Sequence, residues 1–421
     1  MWAVAIIGLV AAAELIELET PRIAAENAEL HEYLLEAGAQ HPGLERRHAK
    51  WRAALERIPQ ATAFDDPVLS YAHFLQSDTN RLRVGLSQSF PWFGTRAARG
   101  DTAAYAAEAA LAQVYVERDR IFAAVKKAYF EYAYLRARLE VTESQAEILS
   151  YMEEVERSRF SVGGSGQHDL LRVQIERDEL ENRRRELLDL RAVLSTDLAQ
   201  ALGRAPNTKL PWPQSFAQAP EPPDRVATLA AVRNDNPELI TLAAARQSKQ
   251  SAIVVADKKR YPDFTLGIEG MARKNDADHI SLALSFNLPI WRGKTRAAIA
   301  EARYEEAAVM YQKDDRTRML ERMAIRILFD FEDAQRRAEL FSGSLIPKAS
   351  QTYESLQSAY ALGTSNVALI DLLDSVNTLL EFELEGRRAT RDMHLAAAEL
   401  ENIMGGPWSP SDAPETAHKN N

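Results

Sequence analysis

The stretch that decides the fold is Tyr360–Leu380, which reads YALGTSNVALIDLLDSVNTLL. A helical pattern reaches Tyr360 from upstream, and the turn-forming residues of Gly363–Asn366 interrupt it. A second helix follows, and its apolar residues recur at the spacing of a coiled-coil seam: Leu369, Leu372, Val376 and Leu379. Asp371 and Asp374 stand three residues apart, so they share a neighbouring strip of this helix. The pattern predicts a helical hairpin with two carboxylates just after its tip.

A weaker copy of this hairpin occurs earlier in the chain. Phe160–Ser165 reads FSVGGS, and Asp169-Leu170-Leu171 follows it. Gly163 stands 200 positions before Gly363. Apolar residues recur every seven positions after this first tip, which is again a coiled-coil spacing: Val173, Leu180, Leu187 and Leu194. The hairpin is therefore predicted to occur twice.

The same order of elements surrounds both hairpins: a helix, two strands, a long helix, the tip and a final helix. The first helix is predicted over 26–58 and ends at Pro59, and the run from Thr95 to about Phe160 lacks proline, which favours one very long helix or two abutting ones. The chain is predicted to divide into an N-terminal segment at 1–25, a first repeat at 26–203, a proline-rich linker at 204–224, a second repeat at 225–404 and a polar tail at 405–421. The first repeat has strands at 68–74 and 82–90 and a tip at 161–168. The second repeat has strands at 263–271 and 279–288 and a tip at 362–368. In the second long helix, Gly343 and Pro347 predict a bend.

The predicted strands alternate between apolar and small polar residues. His279–Leu288 shows this most clearly, because Leu284 and Phe286 alternate with Ser285 and Asn287. Four strands are too few to enclose an interior, since a barrel needs about eight. Three chains would supply twelve strands, each near the length of a tilted membrane-spanning strand. A soluble sheet edge packed on a helix explains the alternation equally well.

Composition excludes several classes of function. The 61 acidic residues exceed the 51 basic residues, which argues against a nucleic-acid partner. Without cysteine the chain has no disulfide and no thiolate zinc site, and its eight histidines show no metal-ligand spacing. No nucleotide, hydrolase or metalloprotease motif is present, so we predict no enzyme activity, no cofactor and no metal. Met1–Ala13 is apolar and resembles part of a secretory signal without its basic start.

Taken together, the motifs resemble the TolC-like outer-membrane factor family over residues 26–404. The resemblance rests on the duplication, the two tips, the Asn236-Pro237-Glu238-Leu239 opening and the strand-to-helix corners Phe90–Gly94 (FPWFG) and Leu288–Gly293 (LPIWRG). The first of these corners looks most like the heavy-metal cation efflux branch. This sequence departs from the family pattern in a longer spacing after Gly363, and it encodes no cysteine that could be acylated.

The resemblance implies a mainly α fold with a small β part: long coiled-coil-like helices and four membrane β-strands per chain. It implies a homotrimer with a 12-stranded barrel in outer-membrane lipid and an α-helical periplasmic tunnel, which places most of the mass in the periplasm. The partners would be a periplasmic membrane-fusion adaptor and an inner-membrane transporter of the RND type. The function would be that of a passive duct in a tripartite efflux pump for heavy-metal cations or drugs. Two alternatives stay open: a type I secretion exit duct and a soluble coiled-coil scaffold.

The candidate site residues follow from the resemblance. As rings in a threefold assembly, Asp371 and Asp374 would form a gate that selects cations, and Asp169 is the matching position in the first copy. The residues predicted to shape the tips for adaptor docking are Gly163, Gly363, Thr364 and Ser365. Trp92 and Trp291 stand at strand ends, where aromatic rings favour a membrane interface. The competing interpretations are a solvated helix face for the aspartates and ordinary core packing for the tryptophans.

Overall fold

The computed structural model describes residues 27–75, 80–213, 224–273, 277–362 and 367–406. In chain order the elements are α1 (Ala28–Gln40), α2 (Pro42–Leu55), α3 (Arg57–Thr62), β1 (Val68–His73), β2 (Asn80–Phe90), α4 (Thr95–Ser161), α5 (Gln167–Ala201), α6 (Arg225–Asn234), α7 (Pro237–Lys258), β3 (Phe264–Arg273), β4 (His279–Phe286), α8 (Arg292–Leu340), α9 (Ile346–Ala361) and α10 (Leu369–Met404). The fold is mainly α with a small β part, as predicted. Three residues of the second predicted tip, Gly363, Thr364 and Ser365, lie outside the described residues.

The long run after the first corner is a single helix. α4 has 67 residues, and Gly100 lies inside it without a break. The Ala, Glu, Leu and Arg content gives strong helix propensity along its whole length, so one glycine costs too little to divide it. Among the described residues, no helix is both long and apolar enough to cross a membrane.

The single helix predicted over 26–58 is wrong, because three helices occupy this part of the chain. α1 begins at the cap residue Asn27, whose side chain accepts a 3.0 Å hydrogen bond from the Leu30 N–H. α2 begins at Pro42, as α7 begins at Pro237, since proline suits the first turn where no intrahelical donor is needed. Pro59 does not end the helical region; it lies in the first turn of α3, where the same reasoning applies.

The four strands form one antiparallel sheet in the order β1-β2-β3-β4. The hairpin of each repeat is thus joined to the other by the β2–β3 pairing, in which Leu86 is opposite Ile268. β4 ends at Phe286 rather than at the predicted 288, and β2 begins two residues earlier than predicted, at Asn80. β1 and β4 are the outer strands, so each has one edge without a β partner in the described chain, which favours pairing with another copy.

The strand register sorts the side chains onto two faces. One, the apolar face, includes Leu69, Tyr71, Leu82, Val84, Leu86, Phe90, Phe264, Leu266, Ile268, Ile280, Leu282, Leu284 and Phe286. The other, the polar face, includes Ser70, Ala72, Gly85, Ser87, Ser89, Thr265, Gly267, Ser281, Ala283 and Ser285. It also carries an ion pair, in which Arg83 Nε lies 2.7 Å from Glu269 Oε1. Every residue of β1 and β4 is exposed in the isolated chain, so the apolar face needs a partner or lipid.

Aromatic contacts lie where β2 ends and β3 begins. Trp92 stacks on Tyr261 with ring centroids 5.2 Å apart, and its N–H donates a 2.8 Å hydrogen bond to Asp263 Oδ1. Phe90 stacks on Phe264 at 5.3 Å. These contacts join the corner after β2 to the segment that leads into β3, which sets the direction of both strands.

A π-helical turn, Phe341–Leu345, lies between α8 and α9. Gly343 lies in this turn and Pro347 follows it, so the helix departs from regular α geometry where the sequence predicts a bend. Proline has no N–H and its ring crowds the carbonyl four residues earlier, which is that of Gly343, so the wider turn relieves the clash. Gly386 of α10 packs against the turn, because a Cβ added there would lie 3.3 Å from Ile346 Cδ1 and 3.4 Å from Phe341 Cβ.

The described part of the predicted proline-rich linker is irregular but packed. Trp212 stacks on Tyr132 of α4 at 5.2 Å, and the Arg191 guanidinium lies 4.4 Å from the Trp212 ring centroid. Arg136 Nη1 donates a 2.6 Å hydrogen bond to the Pro213 carbonyl. The segment is therefore held on the helices rather than free between the repeats.

The compact units of the chain do not follow the two repeats. One unit comprises the described residues within Met1–Glu45, Glu117–Asn236 and Leu320–Asn421, and the other comprises Arg46–Val116 and Pro237–Met319. Each unit takes segments from both repeats. The described parts of both tips belong to the first unit, and the whole sheet belongs to the second. The repeat boundaries themselves stay a prediction.

Candidate functional site at the hairpin tips

Four helix ends meet beside the tips in the first unit: α4 and α5 from the first hairpin, α9 and α10 from the second. One apolar cluster joins them, and its buried members are Val141, Leu149, Met152, Val173, Leu180, Tyr353, Leu369, Leu372, Leu373, Val376 and Leu380. Residues of the predicted seam on α10 therefore pack against the other hairpin as well as their own. Gln145 of α4 also donates a 2.9 Å hydrogen bond to the Val376 carbonyl of α10.

The first tip is closed by glycine. Gly163 has a φ of 74°, the left-handed conformation predicted for it. The Gly164 N–H donates a 2.8 Å hydrogen bond to the Arg159 carbonyl, which satisfies one of the last carbonyls of α4. No heavy atom lies within 4 Å of a Cβ added at Gly163, so a side chain there is opposed by backbone conformation and not by crowding.

Asp169 and Asp371 occupy the same position in their helices. Asp169 Oδ2 accepts a 3.3 Å hydrogen bond from the Gly166 N–H, and Asp371 Oδ2 accepts a 2.9 Å bond from the Ala368 N–H. Each carboxylate thus caps the first turn of its helix, where it also faces the positive end of the helix dipole. The offset between the two aspartates is 202 residues, against 200 between Gly163 and Gly363. The second tip is therefore two residues longer than the first.

Asp371 and Asp374 are both exposed on α10 in the isolated chain. They begin a strip of polar residues that repeats at spacings of three and four, opposite the buried seam: Asp371, Asp374, Thr378, Glu381, Glu385 and Arg388. Glu381 and Glu385 extend the acidic strip beyond the two predicted residues. The heptad continuation of the strip was visible in the sequence and would have identified them.

The same strip in the first copy has mixed charge. The residues 202 positions earlier, on α5, are Asp169, Arg172, Glu176, Glu179, Arg183 and Glu186. Two arginines interrupt the acids there, whereas the strip on α10 has four acids before its one arginine, Arg388. Because the two hairpins share one architecture, this difference in charge is not required by the fold.

A buried hydrogen bond links the two hairpins just before the second tip. The Tyr360 hydroxyl of α9 donates to Oε1 of Glu156 on α4, a residue with no exposed surface. Burial raises the pKa of Tyr360, and the bond to Glu156 raises it further, so the hydroxyl keeps its proton. The Arg159 guanidinium lies 4.3 Å from the Tyr360 ring centroid. Sequence reasoning missed this link, because nothing in the spacing pairs residues 204 positions apart.

The first hairpin is tied internally by a different carboxylate. Glu153 of α4 is buried and accepts hydrogen bonds of 2.6 Å from Arg157, 3.0 Å from Gln174 and 2.5 Å from Arg177. The bond from Gln174 and the neighbouring arginines hold the pKa of Glu153 below its ordinary value. Gln174 and Arg177 belong to α5, so this cluster holds α4 and α5 together next to the tip.

Further along the first unit, charged groups are buried between α4 and α10. Lys126 pairs with Glu401, and both are more than nine-tenths buried. Asp119 lies nearby with 7% exposure, and its Oδ2 has no hydrogen-bond partner among the described residues. Burial raises the pKa of Glu401 and of Asp119, against the opposing effects of Lys126 on Glu401 and of Arg118 on Asp119. This group lies far along both helices from the tips, and its structural role is to join α4 to α10.

The two tryptophans differ in their surroundings. Trp92 is half-buried on Tyr261, whereas Trp291 is 74% exposed. Trp92 therefore has a packing contact within the protein, and Trp291 has the exposure that an interfacial anchor requires. Among the described residues, no group of three or more His, Asp or Glu side chains is placed to hold a metal ion.

The family model described as "Outer membrane efflux protein" matches residues 34–204 and 229–406. The chain belongs to the outer membrane efflux protein family. The two matched segments fall on the two predicted repeats, and the resemblance drawn from the motifs is confirmed. A search of curated proteins gave no significant match.

Solved structures of outer-membrane channels share the fold. VceC from Vibrio cholerae superposes with a TM-score of 0.75 at 16% identity, covering 91% of this chain and 97% of that one. The CmeC channel of Campylobacter jejuni gives 0.74 at 11% identity, covering 91% and 87%. The open state of the Neisseria gonorrhoeae MtrE channel gives 0.73 at 16% identity, covering 90% of each. These likenesses confirm the predicted fold class of a helical tunnel with a barrel.

Membership of this family establishes the function and the location of the chain. The family consists of outer-membrane channels of efflux pumps, and it is a family of transport channels rather than of enzymes. This chain is an outer-membrane efflux channel, and the soluble-scaffold alternative is wrong. Channels of this family work as trimers with adaptor proteins and inner-membrane transporters.

Proposed function

We propose that three copies of this chain form a passive duct whose periplasmic end is a cation-selective gate lined by the acidic strip of α10. The observation that carries the proposal is the contrast between the strip on α10, where every charged residue before Arg388 is acidic, and its mixed-charge copy on α5. If α10 faces the duct, Asp371 and Asp374 give two carboxylate rings about 4.5 Å apart along the helix, because each residue rises about 1.5 Å. Rings of carboxylates favour cations in a pore.

The Tyr360–Glu156 hydrogen bond acts in this proposal as a latch. It ties α9 of the second hairpin to α4 of the first, while Glu153 ties α4 to α5. The first hairpin is thus braced within itself, and movement of the second away from it requires the Tyr360 bond to break. A hydrogen bond contributes about 0.5–1.5 kcal/mol, so three such latches, one per chain, would favour the closed duct.

The remaining assignments belong to the same proposal. The gate opens when a membrane-fusion adaptor docks at the tips, where Gly163 shapes the first loop and Gly363, Thr364 and Ser365 are the docking residues predicted for the second hairpin. An inner-membrane transporter of the RND type supplies the cargo. Asp169 caps the first turn of α5 next to this surface, so its main role is structural rather than in the gate. Trp92 and Trp291 mark the membrane interface, and the exit duct of a type I secretion system stays an alternative.

The test of the gate is ion selectivity in planar bilayers. Asp371→Asn with Asp374→Asn removes two carboxylates per chain and keeps an oxygen that can cap α10. The matched control is Glu176→Gln with Glu179→Gln, which removes two carboxylates from the equivalent strip of α5. We expect the first double variant to lose cation selectivity and block by multivalent cations, and the control to keep both. Unchanged selectivity in the first variant would place the gate elsewhere.

The latch is tested separately by Tyr360→Phe, which removes one hydroxyl and preserves the ring. We expect a larger open fraction in the resting channel, because the bond between the hairpins is lost. Tyr151→Phe is the control, since Tyr151 is an exposed tyrosine of α4, 55% accessible in the isolated chain. An open fraction that does not differ between the two variants would refute the latch while leaving the acidic gate untouched.

A further inference from the structure

The polar face of the sheet holds a thioether directly across from an imidazole. Met271 of β3 and His279 of β4 are register partners. They lie on the same face as Glu269 and Ser281, which form the next pair on that face. His279 is exposed and Met271 is partly exposed. The other positions of β4 on this face carry only small side chains, Ser281, Ala283 and Ser285, so the imidazole is the one large polar group there.

The two side chains are placed to reach one ion. Residues directly opposite each other in an antiparallel pair have Cβ atoms about 4.5–5.5 Å apart, and both side chains leave the sheet in the same direction. A metal held linearly between a sulfur and a nitrogen separates those two atoms by about 4.4 Å, given bonds of about 2.3 and 2.1 Å. The spacing of the strands therefore suits two ligands to one ion without distortion of the sheet.

The kind of cation follows from the number and type of the ligands. Mg²⁺ and Ca²⁺ take six or more oxygen ligands, and Zn²⁺ takes about four ligands. The described residues contain no cluster of three or more His, Asp or Glu side chains suited to such an ion. A thioether is a soft ligand that selects soft cations such as Cu⁺. The nearest opposite charges do not compete, because Glu269 is paired with Arg83 at 2.7 Å.

We propose that Met271 and His279 form a two-ligand site for a soft monovalent cation, Cu⁺ or Ag⁺. The pair itself stands on the register of the described strands. Its position on the inner wall of the duct rests on the proposed function, in which the polar face lines the lumen of a trimer. Three such sites would then surround the passage. Two ligands bind a cation loosely enough for it to leave again, which conduction requires.

The experiment uses the full-length trimer in detergent, in chloride-free buffer, with the methionine methyl groups labelled with ¹³C. Silver nitrate is the probe, and the eight methionines of the chain give few enough signals to resolve. We expect one methyl signal to move and to saturate at one Ag⁺ per chain. Met271→Leu should abolish that signal and its shift, and His279→Phe should weaken Ag⁺ binding by about tenfold or more.

Met319→Leu is the matched control, because Met319 is another exposed methionine whose sulfur contacts Arg316 rather than an imidazole. It should leave Ag⁺ binding unchanged. An unmoved Met271 signal, or the same affinity in His279→Phe, would overturn the site. Channel block by Ag⁺ in planar bilayers then tests whether Met271 and His279 line the duct. Binding of Ag⁺ without any effect on conductance would show that they do not. A negative result for the Ag⁺ site can be told apart from a negative result for the acidic gate, because the cation selectivity of the gate is measured without silver.

Discussion

Replacement of a single residue on the apolar face of the sheet tests its role in the membrane. Leu282 lies mid-strand in β4 and is 81% exposed in the isolated chain. Its row of the register crosses the whole sheet as Leu69, Leu86, Ile268 and Leu282. Four apolar side chains in one row at the middle of the strands belong in the hydrocarbon region of the bilayer if this face meets lipid. Ala283 is the next residue and points to the polar face, opposite Gly267.

We expect Leu282→Arg to be costly and Ala283→Arg to be mild. An arginine on the lipid face costs about 2–4 kcal/mol near the bilayer midplane, and much less in a water-filled lumen. One factor of ten in an equilibrium is about 1.4 kcal/mol, so Leu282→Arg should lower the folding equilibrium by about 30- to 1,000-fold per chain. Gly267 leaves room beside Ala283, because it carries no side chain of its own.

The assay is insertion of urea-unfolded protein into lipid vesicles. Folded trimer is counted by its resistance to SDS without heating, and the urea midpoint gives the change in stability. The two arginine variants are compared at one protein concentration, since trimer assembly depends on it. Equal loss in both variants would show that the two faces are alike, and a greater loss in Ala283→Arg would reverse their assignment.

Three further predictions concern the rest of the chain. Asp119→Asn should raise the thermal unfolding midpoint at pH 7 more than at pH 4. Burial raises the pKa of Asp119 in the folded protein, so the stability that the protonated carboxyl contributes is lost as the pH rises from the ordinary pKa of 3.8 through the raised pKa. Thermal unfolding followed by circular dichroism at both pH values checks this. Gly386→Val should cost about 1–3 kcal/mol in urea unfolding, because an added Cβ already meets Ile346 Cδ1 at 3.3 Å; an unchanged midpoint would show that the π-helical turn yields freely. Trp92→Ala should cost about 2–3 kcal/mol through its lost stacking on the neighbouring tyrosine, whereas Trp291→Ala should cost under about 1 kcal/mol in detergent, and a larger loss at the exposed position would contradict its lack of packing.

Local patterns in the sequence were sufficient to predict the architecture. Period-two alternation located the four strands to within a few residues, since each residue's face follows from its own position along the strand. Heptad spacing located the buried seam of α10 in the same way. Repetition of the whole order, together with the corner and tip motifs, was enough to recognise the family, because each half carries the same local signals.

The way in which distant segments meet depends on the tertiary structure. Local patterns in the sequence place Asp371 and Asp374 after a tip, assign Gly163 a left-handed conformation and give the strands one apolar face. They do not contain the bond from Tyr360 to Glu156, the pairing of Met271 with His279 across a sheet, or the division into compact units built from both repeats. Those contacts depend on the relative placement of helices and strands, which is fixed by summed packing over many residues rather than by any local period.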